Sequence, residues 1–145
     1  MSRTISAFTS VEQRLVRAFE QVRSNHPDPP DIHGECTLFA ASSKEAAVAL
    51  ERLKPRCGEQ SEGQPKRLDK RRSSSFNLVR DLHDLWLRDN ESVILISILL
   101  QAAQALRDHE FELVLIGIEE KNARQRSWLM SRLKQAAPRA LVVPI

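Results

Sequence analysis

The sequence predicts an α/β domain in three layers: a mostly parallel sheet of about four strands with helices on both faces. Three observations carry this expectation. Apolar runs of strand length stand at 92–96 and 111–118, built largely from Val, Ile and Leu. Segments with helical apolar spacing lie between such runs. The two kinds alternate along the chain, as they do where right-handed crossovers connect parallel strands.

The elements follow in order. Ser10, Val11, Glu12 and Gln13 form a capping-box pattern, a hydroxyl followed three residues later by an amide. Val11, Leu15, Phe19 and Val22 then recur at helical spacing, and Pro27, Pro29 and Pro30 end that helix. Residues 36–41 read as a short buried strand. A second capping box at Ser42 and Glu45 opens a helix carrying Ala46, Ala49, Leu50 and Leu53, closed by Pro55. Leu78, Val79, Leu82, Leu85 and Trp86 mark a helix over 76–88, broken by Asp89 and Asn90. Residues 92–96 form a central strand, and Ser97 caps a helix with Leu99, Ala102, Ala103 and Leu106. The run 111–118 is a second strand, its continuous apolar character implying burial on both faces. A helix over 122–135 with Trp128, Leu129 and Leu133 ends at Pro138, and 140–143 supplies the last strand.

Residues 54–75 differ in kind. They hold one large aliphatic residue, Leu68, together with Gly58, Gly63, Pro55, Pro65 and a basic cluster. Such a stretch buries too little apolar area to offset its ordering entropy, so it reads as a long mobile basic loop within a single domain over 1–145. The basic residues Lys66, Arg67, Lys70, Arg71 and Arg72 are candidate contacts for nucleic-acid phosphates, or for a nuclear-import receptor. No aromatic residue interrupts the cluster, which argues against base stacking. Arg71 and Arg72 ahead of Ser73 and Ser74 match the pattern of a basophilic kinase site and make Ser74 a candidate phosphosite.

Composition narrows the classes. With 145 residues, 41% apolar and 28% charged, the chain can bury its own core. Its net charge of +3 is far below a histone-like excess. The first residues contain no apolar signal core, and no apolar run approaches the roughly 20 residues that span a bilayer. A cytoplasmic protein with reduced thiols at Cys36 and Cys57 is expected, or a nuclear one in a eukaryote. No membrane partner is expected.

Recognisable catalytic chemistry is scarce. The four glycines, Gly34, Gly58, Gly63 and Gly117, are too dispersed to cradle a phosphate, which excludes the usual nucleotide-binding loops. His33, Gly34 and Glu35 match the first triplet of zinc deaminases, yet Cys57 has no second cysteine at the required spacing. His26, His33, Cys36 and Cys57 are ligand types for zinc, but their spacing fits no paired site. His83 and His109 sit among charged neighbours and read as solvated. No catalytic, metal or cofactor residue is assigned.

The segment 106–119, Leu-Arg-Asp-His-Glu-Phe-Glu-Leu-Val-Leu-Ile-Gly-Ile-Glu, resembles the helix-to-strand passage of two-component receiver domains. That resemblance implies a receiver fold whose phospho-acceptor aspartate would fall at Gly117. Phe39, Ala40, Ala41 and Ser42 stand where metal-binding carboxylates would be expected. A degenerate receiver of this kind would act by binding a partner. The stretch 99–133 also resembles STAS domains, with Ser97 in the place of their phosphorylatable serine, though without the Asp-Ser context. The leading functional expectation is a non-catalytic regulatory or protein-interaction domain with a protein partner. Nucleic-acid association through the basic loop is the alternative, and a small enzyme without a recognisable motif is the third.

Overall fold

The computed structural model describes residues 2–53 and 72–142, and these form four α-helices without a strand among them. Helix α1 spans Ser2–Asn25, α2 Pro30–Glu51, α3 Ser75–Leu106 and α4 His109–Leu141. The α/β sheet expected from the sequence is therefore corrected to a four-helix bundle.

Buried positions explain why. Along α3 the buried Leu78, Leu82, Leu85, Asp89, Ser92, Ile96, Leu99 and Ala103 run in alternating steps of four and three, with Asp81 buried beside them. Along α4 the buried Phe111, Leu115, Ile118, Asn122, Gln125 and Leu129 run in the same steps, with Lys121 and Ala136 also buried. Helix α1 repeats the pattern with Ile5, Phe8, Glu12, Leu15, Phe19 and Val22, and α2 with Cys36, Ala40, Ser43, Ala47 and Leu50. This is a heptad repeat, which keeps one seam of each helix facing its neighbours.

Three of the four expected strands lie inside these helices, and the fourth only begins in one, its Val143 lying outside the described residues. Residues 36–41 belong to α2, 92–96 to α3, 111–118 to α4, and 140–141 to the end of α4. A short apolar run does not by itself distinguish a buried strand from a helix. The discriminating fact is which apolar residues are covered. In 111–118, Phe111, Leu115 and Ile118 are buried, whereas Leu113 is 70% exposed. In 36–41, Cys36 and Ala40 are buried, whereas Leu38 is 61% exposed. Burial at steps of three and four with exposure between is helical.

The expected boundaries move for local reasons. Ser10 is not a cap, because α1 begins eight residues earlier. Ser42 lies in the interior of α2. Asp89 and Asn90 do not break α3, since Asp89 occupies a core position of the heptad. Ser97 lies mid-helix, its hydroxyl donating to the Val93 carbonyl at 2.9 Å. Pro138 falls in the last turn of α4, which continues to Leu141. The actual caps are Ser74, accepting from the Asn77 amide at 3.1 Å, and Asp108, accepting from the Phe111 amide at 3.2 Å. Pro30 starts α2 at a position where a missing N–H costs nothing. The α3–α4 turn closes on Arg107 in the left-handed region (φ 53°), whose amide meets the Gln104 carbonyl.

Two apolar clusters fill the bundle. One joins the second half of α1 and the first half of α2 to the start of α3 and the end of α4, through Leu15, Phe19, Ile32, Leu82, Leu85 and Leu129. The other joins Ile5 and Phe8 to Leu50, Ile96, Leu99, Phe111 and Leu115. This assignment of ends makes α2 and α3 parallel, and each neighbouring pair antiparallel. Leu53 and Arg72 consequently lie at opposite ends of the bundle. Helix α1 packs along α2 and α3, and α3 along α4, while α2 and α4 touch thinly.

Gly117 tests the helix directly. It is exposed in mid-α4, and a Cβ there would meet no atom within 4 Å. Gly117→Ala is therefore expected to raise the stability measured by urea titration by about 0.5–1 kcal/mol, through the helix propensity of alanine. A loss of stability would contradict an open helical position.

Candidate functional site

Between the two apolar clusters lies a polar layer to which all four helices contribute. Helix α1 supplies Glu12, α2 Ser43, α3 Asp89 and Ser92, and α4 Lys121, Asn122 and Gln125, all buried. The Lys121 ammonium donates to Glu12 Oε2 at 2.8 Å and to Asn122 Oδ1 at 3.0 Å. Ser92 Oγ donates to Glu12 Oε1 at 2.5 Å and accepts from Asn122 Nδ2 at 3.2 Å. Gln125 reaches the Phe39 carbonyl and Ser43 Oγ with long contacts of 3.4 and 3.5 Å. A buried charge tolerates this position only when paired and hydrogen-bonded, and Glu12 and Lys121 are both.

Asp89 is the exception. Both of its carboxylate oxygens are buried with no hydrogen-bond partner among the described residues. Burial pushes its carboxyl from the ordinary value near 3.8 up to about 7, Lys121 and Arg126 pulling down and Glu12 pushing further up. The protonated acid is thus the form favoured up to neutral pH. A shallow groove of about 250 Å³ between α2 and α4 reaches this layer at Lys121, past Ser42, Glu45, Gly117 and Arg124.

A second polar cluster closes one end of the bundle. His26, just beyond α1, is buried with Nε2 at 2.9 Å from Asp81 Oδ2 of α3. Its Nδ1 lies 3.1 Å from Ser73 Oγ. Asn25 Nδ2 donates to the same Asp81 oxygen at 3.0 Å, and Gln21 donates to Asn25 at 2.8 Å. In a neutral imidazole the buried carboxylate selects the tautomer with its proton on Nε2, which leaves Nδ1 to accept from the Ser73 hydroxyl. Beside this chain opens a cavity of about 510 Å³, lined among others by His26, Ser73, Ser74, Arg132, Gln135 and Arg139. Arg132 is tied to Asp31 at 2.6 Å.

The residues singled out from the sequence fall elsewhere. Lys66, Arg67, Lys70 and Arg71 lie outside the described residues, as does Cys57, and with them most of the basic loop. Arg72 is exposed ahead of α3, and Ser75, assigned to the loop, begins that helix. Ser74 is exposed and caps α3. Cys36 and His33 are separated by burial: His33 is exposed, and Cys36 sits in the core, where burial pushes its thiol up to about 12. Cys36 is accordingly a thiol and not a thiolate ligand. Among the described residues no three His, Cys, Asp or Glu side chains group to hold a metal, and no helix is long and apolar enough to cross a membrane.

Sequence reasoning missed both polar clusters. Glu12, Asp89, Ser92 and Lys121 carried a signal, namely polar residues at core positions of a heptad, which becomes readable once the repeat is recognised. His26, Ser73 and Asp81 carried none, because 47 and 55 residues separate His26 from its two partners. Comparison with protein-family models, curated proteins and solved structures gives no match. The sheet that both the receiver and the STAS resemblance imply does not occur among the described residues.

Proposed function

We propose that the chain is a regulatory protein-interaction module whose contact surface is the outer face of α3. The observation that supports this reading is the apolar content of that face. Leu87, Ile94 and Ile98 are each about half exposed, Ile94 at 55% and Ile98 at 53%. Steps of seven and four place them in one stripe, on the side of α3 opposite Leu85, Ile96 and Leu99. A bundle needs one apolar seam per helix, and α3 carries a second that none of the other described helices covers. Clustered exposed aliphatic residues mark interaction surfaces more often than they decorate solvent-facing helices. A stripe at heptad spacing suits a partner's amphipathic helix, laid alongside with its own apolar seam inward.

The double variant Ile94→Glu/Ile98→Glu tests the reading. Both side chains are already in contact with water, so the melting temperature is expected to stay within a few degrees of wild type. Binding is expected to be lost: a protein retained by the immobilised wild type from native lysate should not be retained by the variant. Identical retention by both would contradict the assignment of this face. Sedimentation of the purified protein separates the special case in which the partner is a second copy.

A further inference from the structure

We propose that the cavity at the bundle end is an ester-cleaving site in which Ser73 is the nucleophile and His26 its general base. It lies on a different face from the α3 stripe and stands or falls independently of it.

Three features converge there. First, the hydrogen-bonded chain Asp81, His26, Ser73 is continuous, at 2.9 and 3.1 Å. Its inner members are fully buried and its outer member is exposed, which is the ordering a nucleophile needs. Asp81 is a positioning residue, held in turn by Asn25, and it fixes the tautomer that leaves Nδ1 basic. In most serine hydrolases the other ring nitrogen faces the serine, but either nitrogen of a neutral imidazole can accept the proton. Second, Ser73 directly precedes the Ser74 cap of a 32-residue helix. The first amides of α3, at Ser75 and Phe76, have no acceptor within the helix and are the donors nearest in sequence to Ser73 that could serve a developing oxyanion. Third, the cavity opens onto Ser73 and His26 together, so the reacting groups face a space of small-molecule size.

Charge selects the substrate class. Two arginines and one carboxylate, Asp28, line the cavity. Arg139 is exposed with no ion pair among the described residues, and is the cation left to meet an anionic group, while Arg132 is already engaged by Asp31. A small carboxylic ester bearing an anionic group fits this lining. In the reaction, Ser73 Oγ bonds to the carbonyl carbon as its proton passes to His26 Nδ1. The adduct collapses with cleavage of the ester C–O bond, and the departing alkoxide takes that proton. Water, losing a proton to Nδ1, then adds to the acyl carbon. Cleavage of the acyl–Oγ bond returns the proton to Ser73 and releases the carboxylic acid.

The test uses a fluorophosphonate probe on the whole chain, with adducts located by peptide mass mapping, followed by hydrolysis of mono-4-nitrophenyl succinate and of neutral 4-nitrophenyl acetate. A single adduct at Ser73 is expected, absent in Ser73→Ala, whose exposed site leaves the fold intact. His26→Gln should slow labelling by about 100-fold or more. Asp81→Asn should move the pH profile of labelling, an effect that a merely structural role would not produce. Circular dichroism checks that these two buried variants are folded before their labelling is compared. Arg139→Ala should raise KM for the succinate and leave the acetate unchanged. Labelling of Ser73 no faster than in the urea-unfolded chain, or preferential labelling of Ser74 or Ser75, would overturn the proposal.

Discussion

At pH 8 the Asp89→Asn variant is expected to be more stable than the wild type by up to about 4 kcal/mol, and the gain should shrink in acid. The sign follows from linkage. The folded carboxyl titrates near 7 and the unfolded one near 3.8, so between those values the folded state binds more protons. The contribution of Asp89 is therefore fully present below about 3.8 and is lost as pH rises through about 7. Each pH unit in that interval is worth about 1.4 kcal/mol. An amide of the same shape has no charge to desolvate and takes no part in this titration. Urea titrations of both proteins at pH 5 and pH 8 isolate the effect, because ionisable groups that do not interact with Asp89 cancel in the difference. About 2–3 kcal/mol of the variant's advantage should appear between the two pH values. An advantage that is the same at both would show Asp89 to be solvated or paired in solution.

Lys121→Met should be the most damaging conservative change in the bundle. It preserves the length and the apolar stem of the side chain but removes the ammonium that Glu12 faces at 2.8 Å. Glu12 would keep only the Ser92 hydroxyl while remaining fully buried. Breaking one side of such a pair costs about 3–5 kcal/mol, mostly from the uncompensated charge left behind. The double variant Glu12→Leu/Lys121→Met removes both charges and should recover that loss, ending near or above wild-type stability. Midpoints of urea unfolding for the two single variants and the double complete the cycle. A single variant within about 1 kcal/mol of wild type would place the pair in contact with water. The pair's purpose is then legible in the double variant. Glu12 is on α1 and Lys121 on α4, so a polar match between them penalises other helix orders and registers.

The heptad was present in the sequence throughout, and its masking is instructive. In α3 the buried Ser92, Ile96, Leu99 and Ala103 are overlaid by the exposed Ile94 and Ile98, and in α4 the buried Phe111, Leu115 and Ile118 by the exposed Leu113. Two apolar sets on opposite sides of one helix merge, in one dimension, into a continuous run. A continuous run of β-branched and aliphatic residues is also what a doubly covered strand looks like. The exposed Ile94 and Ile98 that obscured α3 are the same residues that give it its outward apolar face. Asp89 misled in the complementary way, because a charged residue beside an asparagine reads as a helix end when its burial is not visible.

Local chemistry was readable without tertiary information wherever the backbone was constrained by one residue. Pro27, Pro29 and Pro30 place the α1–α2 turn, and α1 ends at Asn25. The amphipathic character of 11–22 survives unchanged within α1. Tertiary structure alone decided the pairing of Glu12 with Lys121, 109 residues apart, and of His26 with Ser73 and Asp81. The physical reason is range. Proline geometry and helical periodicity act over a few residues and are written in the sequence order itself. Desolvation and hydrogen bonding between distant side chains exist only after four helices have packed, and it is these that make Asp89 an acid titrating near neutrality and Ser73 a hydroxyl facing a base.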